Sequence, residues 1–566
     1  MSKLKKTALL FFVAIVFFIV HKALFTGSSP RKSPDLLLIN ANAITMDSSQ
    51  PHAEAVLVSN GRIRKTGNRE ELQSIVSTDI RTIDLKGKTL IPGFNDNHTH
   101  IFSAGQYYWL PNLWKKSCQE IVDIVQREVS GKKPGELISG NSWDYPFCPH
   151  PDKSLLDKVS PNNPVYLTQY SGHAAWVNSY KLGEMKIDRD TPDPEGGQIM
   201  RDKNGEPTGI LRDKATGLTG YLDTLSDIFI SRKHRRYLEK ALENMRKVGV
   251  TSVQDNTWMP ITVWHLNNLK AEGKLTSRFS VWSLDEYIPG AKHLMKLASY
   301  DQLWIHKGPL KYFADGAFST RTAWMLSEAY ADEPGNFGSP IHTAKEMDEL
   351  VKNAAEKRQQ IAIHAIGDGA VHQILNSIEK AQALYPWTRE LRFRIEHIQL
   401  ISEPDIARMK QLGVIACIQP FSISSPRKDI QLLGEQRAQR AYPFYSLRKA
   451  GIPVSFGSDV PAEVDYNPML GLYYAITRKN LEGTFGPLNA SEKFSPYEAL
   501  FAYTMGSAYA EFMEDEKGSI TPGKLADMVV LSHDPTKVEE EFIKNIGVLM
   551  TIVDGRIVYQ NKLELP

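Results

Sequence analysis

Two imidazoles stand one residue apart in Ile91-Pro92-Gly93-Phe94-Asn95-Asp96-Asn97-His98-Thr99-His100, directly behind a short apolar run. Side chains alternate between faces along an extended strand, so His98 and His100 share one face with Thr99 turned away. Two neutral imidazoles so placed can converge on a divalent ion. Alone the pair is a weak signal, because histidine also serves as a core residue or a general base. Further candidate ligands follow at the ends of later apolar runs. Lys311 lies inside one run, His364 and His397 end the next two, and Asp459 follows Phe456-Gly457-Ser458. Each has an ordinary reading by itself: a lysine on an edge strand, a histidine in a core, an aspartate capping the next segment. On one end of a closed parallel sheet they would instead be neighbours around a single cavity.

The elements that must position them are legible in the pattern. Between the two ends of the chain, apolar runs at 249–255, 279–282, 310–314, 361–364, 393–397, 414–418 and 454–458 alternate with helix-like segments. The clearest helix spans 233–248, with Tyr237, Leu238, Ala241, Leu242 and Met245 on one face. Counting the strand that bears His98, about eight such units predict a (β/α)8 TIM-like barrel, an α/β fold. No glycine-rich phosphate loop follows a strand, which argues against a doubly wound sheet. Short strand patterns at 36–40, 55–58, 61–63 and 82–85 match others at 527–531, 548–553 and 555–558, with Asn60-Gly61 and Asp554-Gly555 as hairpin turns. The two ends are therefore expected to pair into a small β-sandwich domain of residues 34–90 plus 518–566, around a barrel of residues 91–517. Residues 103–223 are rich in turn formers and poor in helical period. They form an expected insert over the C-terminal face, where Trp143, Tyr145, His173 and Trp176 are candidates to line the pocket.

The chain has 566 residues, enough for a large core and a smaller domain, and a net charge of only +2, which gives no footprint for nucleic acid. Small-molecule partners are expected instead, and an oligomer is compatible with the sequence. Cys118, Cys148 and Cys417 are too few and too scattered for a disulfide framework, and their odd number leaves at least one thiol free. At the N-terminus Lys3, Lys5 and Lys6 precede an unbroken apolar run over 8–20 that His21 and Lys22 close. This predicts a signal anchor in segment 1–33, crossing a membrane through residues 7–25, with the catalytic part outside the cytoplasm on the periplasmic or extracellular face. Secretion after cleavage of the segment is the alternative.

In combination, several motifs resemble the amidohydrolase superfamily, and more narrowly its YtcJ-like, N-substituted-formamide-deformylase-like branch, amidohydrolase family 3. They are Pro92-Gly93-Phe94 with His98-Thr99-His100, Lys311-Tyr312-Phe313-Ala314-Asp315-Gly316, His364-Ala365-Ile366-Gly367-Asp368, Glu396-His397 and Gly457-Ser458-Asp459. The insert agrees through Gly172-His173-Ala174-Ala175-Trp176 and Asp193-Pro194-Glu195-Gly196-Gly197, and the likeness runs from about residue 35 to the C-terminus. It implies a divalent metal centre, usually Zn2+, with one or two ions per chain. His98 and His100 would hold one ion, and His364 with His397 a second. Asp459 would ligate and act as base, and Lys311 matches the position of a bridging carboxylated lysine, with Asp315 on the same strand face as a competing or supporting carboxylate.

The implied chemistry is metal-dependent hydrolysis of a non-peptide C–N bond, an amide or formamide, through activated water. Asp459 would move the proton to the leaving amine, and His173 and Arg321 are candidates to hold the substrate carbonyl or an anionic group. A hydrolase of a cyclic amide or ester, or an inactive binding or scaffold barrel, are the alternatives. Gln419-Pro420 is followed by Phe421-Ser422 rather than a nearby histidine, a departure from the family pattern, so substrate preference is not carried over.

Overall fold

A computed structural model describes residues 35–77, 79–218, 232–256, 261–284, 293, 295–296, 298–462 and 465–561. The expected signal anchor lies outside these residues, as does the end of the expected insert. Among the described residues no helix is long and apolar enough to cross a membrane.

Eight parallel strands run in sequence order around the centre: β1 (Phe94–Thr99), β2 (Val250–Asp255), β3 (Arg278–Ser283), β4 (Ile305–Phe313), β5 (Ile361–Ala365), β6 (Arg394–His397), β7 (Ile415–Ile418) and β8 (Val454–Phe456). The outermost two meet through a parallel bridge between Thr99 and Val460. The Asp459 N–H donates to the His98 carbonyl at 2.7 Å, and the His100 N–H to Val460 at 3.0 Å. This is the TIM-like ring that the alternation of runs predicts. Apolar side chains on the outer faces bury against the surrounding helices in one large cluster, which includes Leu238, Ala241, Leu242 and Met245 of the helix Arg232–Lys247. The helix Ile101–Trp109 approaches that helix so closely that a Cβ on Gly105 would lie 2.0 Å from the Tyr237 carbonyl oxygen. A glycine is needed there for backbone clearance.

Both chain ends build two further sheets. One has four strands, with Leu36–Ile39 antiparallel to Ala55–Ser59 and parallel to Arg81–Asp84. The other has six strands, in which Met528–Leu531 of the C-terminal part pairs antiparallel with Thr89–Pro92. Leu36, Leu38, Val56 and Val58 of the first share an apolar cluster with Met528, Val530 and Ile552 of the second. Both expected hairpin turns have the two consecutive left-handed residues such turns require: Asn60 and Gly61 at φ 52° and 76°, Asp554 and Gly555 at 56° and 69°. A buried bidentate pair, Arg278 to Asp527 at 2.6 and 3.0 Å, ties this part to the start of β3.

The segment after β1 is more ordered than its composition suggests. It contains the helix Cys118–Ser130, opened by a reciprocal Ser117–Glu120 capping box, and a five-stranded sheet. Ile121 and Val125 pack with Ile138, Leu167, Trp143 and Trp176 in a separate apolar core. The sequence reading understated this helix, which buries Ile121, Val122 and Val125 and packs Ile124 and Val129 against the same core. It also left the cysteines unpaired. Cys118 and Cys148 form a disulfide that joins the start of the helix to the loop after Ile138–Trp143, while Cys417 is buried and free.

Candidate metal centre

Hydrogen-bond register and two local irregularities bring the candidate ligands to one mouth of the ring. Between β1 and β2 the partners Asp96–Val253 and Thr99–Asp255 flank an extra residue in β1, a bulge. Within it Asn97 donates to the Ser455 hydroxyl at 2.6 Å, and His98 and, beyond the strand, His100 both face the mouth. The face that the sequence reading gave to these two histidines is therefore the one they occupy. On the next ligand strands Phe313 pairs with His364, and Ala365 with His397, so those ends are level. Asp459 sits in a left-handed turn at φ 59° just beyond β8. Gly457 precedes it because a Cβ there would come within 2.3 Å of the Asn97 side-chain oxygen and 2.7 Å of the His98 nitrogen.

Asp459 Oδ1 lies 3.2 Å from His100 Nε2 and 3.5 Å from His98 Nε2, and its Oδ2 lies 3.9 Å from His397 Nδ1. Lys311 Nζ is 3.2 Å from His98 Nε2. Ring centroids of His364 and His397 are 4.4 Å apart, and those of His98 and His397 5.1 Å. One ligand atom from each of His98, His397 and Asp459 falls within 4.8 Å of the others. Among the described residues the six positions named for metal binding thus meet around one cup.

The electrostatics suit a cation. Burial holds the imidazoles of His98, His364 and His397 well below their ordinary pKa, with the Lys311 charge adding to it, so all three keep neutral lone pairs. Burial works to raise Asp459, but the neighbouring His98, His100 and Lys311 bring its carboxyl down to about 2. Lys311 is pulled by burial to about 8, against the opposing charges of Glu396 and Asp459. The donor set fits a divalent ion: several neutral imidazoles, one carboxylate and a depressed amine. Asp459 Oδ1 is moreover buried without a hydrogen-bond donor aligned on it. Ring tautomers are set from outside. His98 Nδ1 faces Glu396 Oε2 at 2.6 Å, His397 Nδ1 faces Gln419 Oε1 at 2.7 Å, and His364 Nε2 donates to the Gly316 carbonyl at 3.0 Å.

Of the remaining candidates, the insert delivers one. His173, on the turn after Val165–Gln169, reaches over the mouth with its ring 5.8 Å from that of His364. Burial would lower it, yet the 2.8 Å contact with Asp213 and that carboxylate's charge raise its pKa above the ordinary value. Trp143 and Trp176 do not line the pocket. They are fully buried in the core of the insert, with Trp143 Nε1 donating to the Leu167 carbonyl at 2.9 Å, and Tyr145 packs edge-on against Trp143. Large aromatic area is what that small sheet needs to bury. Arg321 is also displaced from its expected role. Its guanidinium is committed to Asp332 at 2.6 Å and approaches Glu333 at 3.8 Å. Asp315 accepts backbone N–H groups of Trp324, Ile366 and Gly367 at 2.8–3.0 Å, pinning the loops beside the cup, and lies 3.6 Å from His364 Nε2. It supports the site rather than competing with Lys311. Sequence reading missed Gln419 and Trp282, whose ring packs 5.2 Å from that of His98. Their signal was position alone, Trp282 within β3 and Gln419 directly after β7.

Comparison with known proteins agrees with this geometry. The family model described as Amidohydrolase family matches residues 81–559. The putative amidohydrolase YtcJ of Bacillus subtilis is 32% identical over 531 residues, covering 91% of this chain and 98% of its own. An N-substituted formamide deformylase of Arthrobacter pascens is 28% identical, with 93% and 98% covered. Among solved structures, an uncharacterized metal-dependent hydrolase from Pyrococcus horikoshii superposes with a TM-score of 0.73 at 26% identity, covering 89% of this chain and 99% of that one.

Proposed function

The chain belongs to the amidohydrolase family, and on that premise we propose that it is a metal-dependent hydrolase cleaving a non-peptide C–N bond, an amide or formamide, of a small molecule. The observation that carries this reading is the convergence of His98, His100, Lys311, His364, His397 and Asp459 on one cup. The deformylase relative adds weight to the C–N bond as the target. An imidazole-rich donor set suits Zn2+, one or two ions per chain. When bound, the metal supplies the Lewis acidity that makes water nucleophilic at neutral pH and polarises the scissile carbonyl. Asp459, ionised at any physiological pH, accepts the proton of the attacking water and returns it to the leaving nitrogen. His173, whose pKa is raised by the Asp213 carboxylate against the effect of burial, is placed to donate to the substrate carbonyl or its anionic group from the insert side. Lys311, with its amine near pKa 8, is partly unprotonated at neutral pH. Its nitrogen can then add to carbon dioxide and lose a proton, leaving a carbamate whose two oxygens share one negative charge and can ligate metal.

Turnover of a panel of N-acyl and N-formyl amines tests the assignment of the base. Asp459→Asn should reduce the rate by about 10²- to 10⁴-fold. An intact rate in that variant removes Asp459 from the role.

We also propose that residues 7–25 hold the chain at a membrane with the catalytic part outside the cytoplasm, secretion after cleavage being the alternative. The Cys118–Cys148 disulfide supports this, since such bonds persist in oxidising compartments. Externally added protease should reach the catalytic part in intact cells or, for a periplasmic location, after the outer membrane is opened. Protection until the cytoplasm is breached would exclude it. The division into residues 34–90 plus 518–566, 91–517 and an insert at 103–223 is the domain organisation we adopt for this reading.

A further inference from the structure

We propose that Glu396 is a positioning residue for the metal centre, fixing the ring of His98 while itself fixed by Arg394; the inference rests on the metal-centre reading above. Arg394 and Glu396 lie two residues apart on the inward face of β6, and both side chains are fully buried. Glu396 Oε2 is 2.6 Å from His98 Nδ1, so Nδ1–H donates to the carboxylate and the lone pair is left on Nε2, the atom that faces Asp459 and Lys311. Arg394 holds the carboxylate from below through Nε to Oε1 at 2.7 Å and Nη2 to Oε2 at 3.2 Å. A second bond from Nη2 to the Asn97 carbonyl at 2.9 Å ties the guanidinium to the strand that carries His98, and its face lies 4.6 Å from the Trp282 ring.

Strand geometry alone would not allow this. Residues 396 and 397 are neighbours, and in a regular strand one of them would point outward. Here the backbone leaves β6 through two consecutive left-handed residues, His397 at φ 78° and Ile398 at φ 48°. A β-branched residue in that conformation is an outlier, of the kind that persists only where the surroundings enforce it. The turn swings His397 into the cup beside His98 and His364 without moving Glu396 off the inward face. One strand end therefore supplies a candidate ligand and, from the adjacent residue, the group that orients a ligand on the other side of the ring. The arrangement is a carboxylate–imidazole–metal relay with a buried arginine beneath it.

Binding of Zn2+ and Co2+ to purified apoprotein, by competition against chelators of graded strength, tests the relay. Glu396→Gln should weaken both ions by about 10- to 100-fold and change the visible absorption of bound Co2+. His98→Gln should weaken them as well, and adding Glu396→Gln to it should cost no further affinity, because the carboxylate acts through that ring. A merely structural role predicts the reverse: a lower apoprotein melting temperature with unchanged affinity, or losses that add in the double variant. Should Glu396→Gln fail to fold with Arg394 unpaired, Glu396→Asp keeps the charge but draws it away from His98. Lost affinity with near-native melting then supports the relay, and retained affinity overturns it. Metal uptake by wild type alongside unaffected Glu396 variants overturns only this inference. A wild type that takes up no metal overturns the centre and the relay together.

Discussion

The barrel mouth and the insert above it use their polar and aromatic residues in opposite ways. Within the ring the side chains are charged or polar through several layers: Glu511 with Asn95, Arg394 with Gln254, and above them the imidazoles. Apolar packing lies outside, between strands and helices. In the insert the sheet buries two tryptophans in a conventional apolar core, and a polar arm, His173 braced by Asp213, leaves it for the mouth. Large aromatic residues are thus a poor guide to the pocket of a small inserted sheet, whose first need is a core of its own. A histidine on a turn with a carboxylate behind it is the better guide.

Three substitutions sharpen that contrast. His173→Ala should show the largest effect on turnover, a fall of about 10²- to 10³-fold as expected for a lost donor to developing charge, with metal content and melting unchanged. Trp176→Ala should invert the pattern. It should cost about 3–5 kcal/mol of stability in denaturant titration, as for other buried aromatic truncations, with metal still bound at saturating concentration. Arg321→Ala should be mildest, within about 1 kcal/mol by the same titration and with near-wild-type turnover, since its guanidinium is already paired with Asp332 and close to Glu333. Equal losses of turnover from His173→Ala and Arg321→Ala would erase the distinction drawn between them.

Much of the architecture could be read before any coordinates. The strand bearing His364 is parallel and fully buried, so it reads as the apolar stretch Ile361-Ala362-Ile363 with an abrupt polar residue after it, whereas the strand ending in His397 is equally buried but carries Arg394 and Glu396 within it. The hairpin turns at Asn60-Gly61 and Asp554-Gly555 needed left-handed residues and had them. What stayed hidden was contact at long range. Nothing local in Glu396 distinguishes it from an ordinary strand carboxylate until His98, 298 residues away, is brought to 2.6 Å. The pairing of Cys118 with Cys148 likewise depends on how the helix Cys118–Ser130 packs on its sheet. Arg321 illustrates the converse, because its carboxylate partners are only 11 and 12 residues onward, close enough to have suggested the ion pair it makes.

The central claim is that six distant side chains form one cation site, and crystallographic anomalous scattering measured across the zinc absorption edge on metal-loaded protein tests it most directly. The account predicts one or two peaks in the cup bounded by His98, His364, His397 and Asp459. Absence of any peak there, or metal bound only elsewhere on the chain, would contradict it.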